Sequence, residues 1–103
     1  MARPVVVLSG RADLDLDNLF DLIAEDSGAQ RAKAVLLRIK QTMELVATMP
    51  GMGRVRDDLK GDPRTFAVWP WLIVYEARPD GQGIYVWRVI DGRRDVPRHV
   101  KRQ

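Results

Sequence analysis

No cysteine occurs among the 103 residues. Disulfides are therefore excluded, and thiolate-ligated metal sites with them. The absence suits a reducing compartment. Histidine is nearly as scarce, with His99 the only one. No Ser/His/Asp set, glycine-rich phosphate cradle or metal-ligand spacing is present. Long apolar runs are missing too. The opening "MARPVVVLSG" holds only a four-residue apolar run, too short for a signal-peptide core, and no later run approaches bilayer-spanning length. The expectation is a cytoplasmic protein. Repeats, low-complexity stretches and interdomain linkers are also lacking, so residues 1–103 read as a single domain. Nothing in the chain implies a cofactor or a metal.

What is present is a soluble, charged chain with an uneven charge distribution. Apolar residues make up 46% and charged residues 30%, a globular balance. Residues 1–30 carry two basic and six acidic side chains; residues 31–103 carry fifteen basic and eight acidic. Thirteen of the seventeen basic residues are arginine, whose rigid fork of donors suits phosphate or carboxylate. The C-terminal two-thirds should attract an anionic partner, acidic protein or nucleic acid.

Hydrophobic periodicity predicts the elements. "PVVVLS" (4–9) reads as a short strand. Residues 10–28 place Leu16, Leu19, Phe20 and Ile23 at helical spacing, with Asp13, Asp17, Asp21 and Glu25 opposite. Ser9 is the predicted cap and Gly28 the predicted stop. Residues 29–49 form a second helix with a stripe of Ala32, Leu36, Ile39, Met43, Val46 and Met49, ended by Pro50 and Gly51. Residues 50–62 read as a structured loop. "PRTFAVW" (63–69), "WLIVYEAR" (71–78) and "GIYVWRVI" (83–90) follow as an antiparallel meander, the last two joined through a Pro-Asp-Gly turn. Residues 91–103 form a short basic tail. The predicted class is α+β, in the order β-α-α-β-β-β, with a helical hairpin on one face of the sheet.

These strands alternate poorly. Trp71, Ile73 and Tyr75 oppose Leu72 and Val74; Ile84, Val86 and Ile90 oppose Tyr85, Trp87 and Val89. Both faces are therefore apolar, whereas a half-solvated antiparallel sheet alternates cleanly. Two helices cover one face only. Six of the seven aromatic residues sit in the meander, and aromatics flanked by arginine are typical of protein interfaces. Trp69, Trp71, Tyr75, Tyr85 and Trp87 are the candidates for contact with a segment of another chain laid on the second face. The competing reading is that the C-terminal tail fills that face.

At the level of motifs, the chain resembles toxins of the RelE/ParE superfamily, in the ParE branch. The likeness runs through "RADLDLDNLFDLIAE" (11–25), "MPGMGRVRDDL" (49–59), "RTFAVWPWLIVYEA" (64–77) and "YVWRVIDGRRDV" (85–96). It implies a helical hairpin on a curved antiparallel sheet. It also implies a cognate antitoxin that neutralises the toxin, and DNA gyrase as the target. RelE-type relatives instead cleave messenger RNA on the ribosome. Asp91 stands where the family often has histidine, so a role resting on that histidine does not carry over.

Chemistry favours holding over cutting. Cleaving RNA needs a base, an acid and cations aimed at the phosphate. Arg54, Arg56, Arg88, Arg93 and Arg94 supply cations and are the candidate target-binding residues. Acid–base groups are few. His99 lies in the tail, Tyr75 and Tyr85 lie inside strands, and Asp91 or Glu76 would repel a phosphate. Lys60 is the one lysine of the loop. Asp95 is expected to pair with Arg88 or Arg93 and fix the closing turn at Gly92. "DLDLD" (13–17) lacks the glycine and distal glutamate of a calcium loop and reads as a solvated acidic helix face.

Overall fold

The computed structural model describes residues 4–94 and 96–100, His99 by its backbone alone. The predicted Asp95 pairing and any His99 side-chain role lie outside the described residues. The elements are β1 (Val5–Leu8), α1 (Gly10–Ser27), α2 (Ala29–Thr48), a 3-10 turn (Pro50–Met52), β2 (Arg54–Val55), β3 (Arg64–Val68), β4 (Trp71–Ala77), β5 (Gly83–Asp91) and α3 (Val96–His99). The predicted order holds, with β2 and α3 added inside the segments read as loop and tail.

Ser9 starts α1. Its hydroxyl oxygen accepts the Ala12 amide at 3.0 Å and its proton goes to the Trp87 carbonyl at 2.7 Å. One residue thus caps the helix and ties its start to β5, and such a cap stabilises by about 1 kcal/mol. Gly28, at φ 93°, alone separates the two helices, which makes the tight antiparallel hairpin expected from the spacing. Leu16 and Leu19 of α1, and Ala32, Ile39, Met43 and Val46 of α2, are buried. Met49, expected in the stripe, is 62% exposed. The helix has ended at Thr48, and φ −145° at Met49 throws its side chain off the helical phase.

The sheet has the order β1-β5-β4-β3-β2. The meander β3-β4-β5 is antiparallel as predicted, but β1 joins β5 in parallel, Val5 opposite Gly83 through Leu8 opposite Val86. The sheet is mixed because the helical hairpin carries the chain back to the start of the sheet before the meander begins. Gly83 makes this pairing possible. At φ 120° it brings β5 so close to β1 that a Cβ would collide with the Val5 backbone.

Two cores sandwich the sheet. On the helix side, Val68, Ile73, Tyr75, Ile84, Val86 and Val89 pack against Leu16, Leu19, Ile39, Met43 and Val46. On the other side, Val74, Trp87 and Ile90 pack under Leu59, Val96 and Val100. The second face is thus closed by the loop before β3 and by α3. This overturns the expectation of a face that only a foreign segment could shield. Trp87 and Tyr75 have no exposed surface, so neither offers the partner contact predicted for it.

A β-bulge explains a further correction. Val74 opposes Arg88 and Tyr75 opposes Val86, so Trp87 is the extra residue of the last strand. The extra residue reverses the alternation beyond it. Val89 therefore faces the helices and Ile90 faces away, the opposite of the predicted assignment.

Candidate functional site

Past the end of β1, which pairs with β5 only as far as Val86, Arg88 meets the first helix. Its guanidinium donates to Asp15 of α1 through Nε at 2.7 Å and Nη2 at 3.0 Å, and the Val89 amide adds a third bond to the same carboxylate at 3.0 Å. The two side chains are only 11% and 12% exposed. Asp15 is therefore no solvated helix-face residue, although Asp13 and Asp17 are exposed as expected. The pair pins α1 to the end of the last strand.

The other candidate arginines do not converge on Arg88. Arg54 opposes Thr65, Thr65 opposes Val74 and Val74 opposes Arg88, so Arg54 and Arg88 sit at opposite ends of one cross-strand row. Three strand spacings separate β2 from β5, about 14 Å. Arg56 is held in the 56–62 loop by Asp58, through Nε at 2.8 Å and Nη2 at 2.7 Å. Hydrogen bonding from Arg56 lowers the Asp58 carboxyl to about 2. At the end of β5, Arg93 forks onto Asp91 at 2.9 and 2.7 Å, and this bond lowers Asp91 to about 2. Arg94 is exposed beside it. The cations form two groups, Arg54 with Arg56 and Arg88 with Arg93 and Arg94.

The "PGMGR" loop has its own clamp. The Tyr75 hydroxyl donates to the Pro50 carbonyl at 2.7 Å and accepts the Gly53 amide at 2.9 Å. Arg64 reaches the same loop, donating to the carbonyls of Gly53 at 2.8 Å and Gly51 at 3.3 Å. Burial pushes the Tyr75 phenol above its ordinary range. Gly53 cannot be larger, since a Cβ there would collide with the Tyr75 hydroxyl.

Aromatic side chains reach solvent at the β3–β4 turn. Trp69 is 68% exposed, Trp71 is half-buried, and the Trp69–Pro70 peptide is cis. Two clefts meet at Trp71. One, of about 200 Å³, runs past Asp15, Leu22, Arg88, Asp91 and Arg94; the other, of about 230 Å³, runs between the turn and the start of α2. Tyr85 is half-buried on the opposite face. Among the described residues no group of three acidic or histidine side chains could hold a metal ion, and no helix is long and apolar enough to cross a membrane.

The family model for the ParE toxin of type II toxin–antitoxin systems, parDE, matches residues 6–96. The chain belongs to the ParE toxin family. It is 37% identical to Toxin ParE3 of Caulobacter vibrioides over 82 residues, 80% of each chain. Toxin ParE1 of the same organism is 26% identical over 93 residues, 90% of this chain and 94% of that protein. A solved chain of the chromosomal ParDE toxin–antitoxin system from P. aeruginosa superposes with a TM-score of 0.69 at 20% identity, covering 84% of this chain and 92% of its own. That likeness is one of fold.

Within the ParE frame, the quoted motifs acquire distinct physical uses. The "PGMGR" motif is a loop strapped down by Tyr75 and Arg64, and the "RVIDGRRD" motif supplies one buried ion pair, Arg88 with Asp15, and one surface pair, Arg93 with Asp91. Sequence reasoning overlooked Asp15, Gly53 and Arg64. Asp15 did carry a signal. It lies three residues after Ala12 and four before Leu19, both core positions, so it borders the buried stripe in a way that Asp13 and Asp17 do not.

Proposed function

We propose that this ParE-family toxin inhibits DNA gyrase in the cytoplasm by binding it, without catalysis of its own, and that a cognate antitoxin neutralises it. One observation carries the non-catalytic part of this reading. Three of the groups a ribonuclease would turn on a phosphate are already committed within the fold. Arg88 forks onto Asp15, and the Tyr75 hydroxyl is spent on Pro50 and Gly53. Asp91, at the position where a family histidine often stands, is held as a carboxylate by Arg93. In this reading the exposed Arg54, Arg93 and Arg94 face the target, while Arg56 and Arg88 shape the surface from beneath. Trp69, Trp71 and Tyr85 remain the aromatic candidates for antitoxin contact.

A supercoiling assay with purified toxin tests the proposal. The expected result is inhibition that rises with toxin concentration and disappears when antitoxin is added. Full gyrase activity at toxin excess, together with messenger cleavage in a translation extract, replaces this reading with that of a ribosome-dependent endoribonuclease. Unimpaired growth on expression without the partner leaves only an antitoxin-binding module.

A further inference from the structure

We propose that the cleft between the Trp69–Trp71 turn and the start of α2 is the seat of an acidic, apolar-anchored segment of the antitoxin, with Arg31 and Arg38 as its charge-reading residues. The proposal rests on the antitoxin reading above and names the part of the surface that performs it.

Three features of the cleft point to this occupant. Its floor is apolar, made of Ile23, Val35 and Val68 beneath the two indoles. At about 230 Å³ it accepts one large apolar side chain, and Trp69, 68% exposed, stands over it as a rigid wall. Such an exposed indole beside arginine is the composition of an interface anchor.

The second feature is charge. Arg31, Val35 and Arg38 follow at helical spacing along one face of α2, and all three line the cleft. Arg56, Arg88 and Arg93 each have a carboxylate partner. Among the described residues the guanidinium groups of Arg31 and Arg38 have none. The only carboxylate lining this cleft is Asp26, which accepts the Ser27 hydroxyl at 2.9 Å. The rim is therefore left with excess positive charge in forked, carboxylate-shaped donors.

The third feature selects a peptide over a nucleic acid. The cleft is bordered by α1, whose last turns carry exposed Asp21, Glu25 and Asp26. A polyanion laid along this surface would meet those carboxylates. A protein segment with one apolar anchor and one or two acidic residues can place its few charges on Arg31 and Arg38, with Asp26 the single carboxylate of the lining. Because the neighbouring cleft shares Trp71, such a segment can continue past the exposed Leu22, which is 59% accessible.

The test is binding of the full-length toxin to the antitoxin encoded beside its gene, measured by titration calorimetry. The double variant Arg31→Glu/Arg38→Glu is expected to weaken binding by about 100-fold, and Trp69→Ala by about tenfold or more. Both should keep the wild-type melting temperature within a few degrees, since the three side chains are exposed. Arg11→Glu, an exposed charge change outside the cleft, should leave affinity unchanged and so separates a local contact from general electrostatics. Replacing Trp69 with a photo-crosslinking phenylalanine should capture the antitoxin. Wild-type affinity in both variants overturns the cleft while leaving the antitoxin reading intact. Absence of antitoxin binding by the wild-type toxin overturns both. Binding of a single-stranded oligonucleotide that is lost in Arg31→Glu/Arg38→Glu, with antitoxin binding unaffected, overturns the choice of a protein occupant.

Discussion

Asp15 and Arg88 are separated by 73 residues and meet through two side-chain hydrogen bonds, while the same carboxylate also takes the Val89 amide. A single acidic residue thereby fastens the first helix to the last strand just beyond its bulge. Because both side chains are nearly buried, removing either partner leaves the other as an uncompensated charge.

Asp15→Ala and Arg88→Ala should therefore each destabilise the fold by about 3 kcal/mol. Urea unfolding followed by tryptophan emission measures it. The double variant Asp15→Leu/Arg88→Met should lose less than the sum of the two single changes, because no charge is stranded. Equal, additive losses would show that the pair does not act as a unit.

Tyr75→Phe deletes the hydroxyl that serves Pro50 and Gly53 while keeping the buried ring. The expected loss is about 1–3 kcal/mol, the cost of unsatisfied buried groups. Hydrogen exchange at the Gly53 amide should accelerate, with core amides of β4 little changed. Gly53→Ala should be worse than Tyr75→Phe, because the new methyl collides with the phenol oxygen. Combining the two should recover part of that excess, since the Thr65 carbonyl also crowds the added carbon.

Val96 and Val100 cover the face of the sheet that carries Trp87. Replacing both by alanine should cost about 1–3 kcal/mol in total and raise binding of an apolar dye, as water gains access to the indole. Trp87→Ala should cost about 3–5 kcal/mol. An unchanged melting curve for the valine pair would mean that α3 is not what closes this face.

Stability should fall on acidification through Asp58 and Asp91. Both carboxyls are lowered from an ordinary 3.8 to about 2 in the folded protein, chiefly by hydrogen bonds from Arg56 and Arg93. A depressed folded value means that stability is fully present above pH 4 and is lost as pH falls towards 2. These pairs lie at the surface, so added salt should shrink the effect. The urea midpoint measured from pH 5 to pH 2 should flatten in Asp58→Asn and Asp91→Asn, and the flattening should be smaller in high salt.

Much of this molecule is legible from local pattern. The Ser9 cap, the one-glycine joint between helices, the buried stripes around Leu16 and Ile39, and the three-strand meander all follow from spacing and turn chemistry between near neighbours. The motif likeness also anticipated the ParE toxin family. These features depend on periods of 2 and 3.6 residues and on dihedral preferences, which each short stretch carries within itself.

Tertiary structure decided the rest. Whether the second sheet face lay open or closed depended on Leu59 arriving over Trp87 from the loop before β3, and on Val96 and Val100 folding back onto it from the segment after β5. The direction of β1 depended on a close backbone approach at Gly83, and the facing of Val89 and Ile90 on one extra residue in the last strand. The composition of "DLDLD" could not say that its middle aspartate would be the one to meet an arginine 73 residues away. Local sequence sets which side chains share a face; only the closing of the chain on itself determines which faces meet, and therefore which arginines become structure and which remain at the surface.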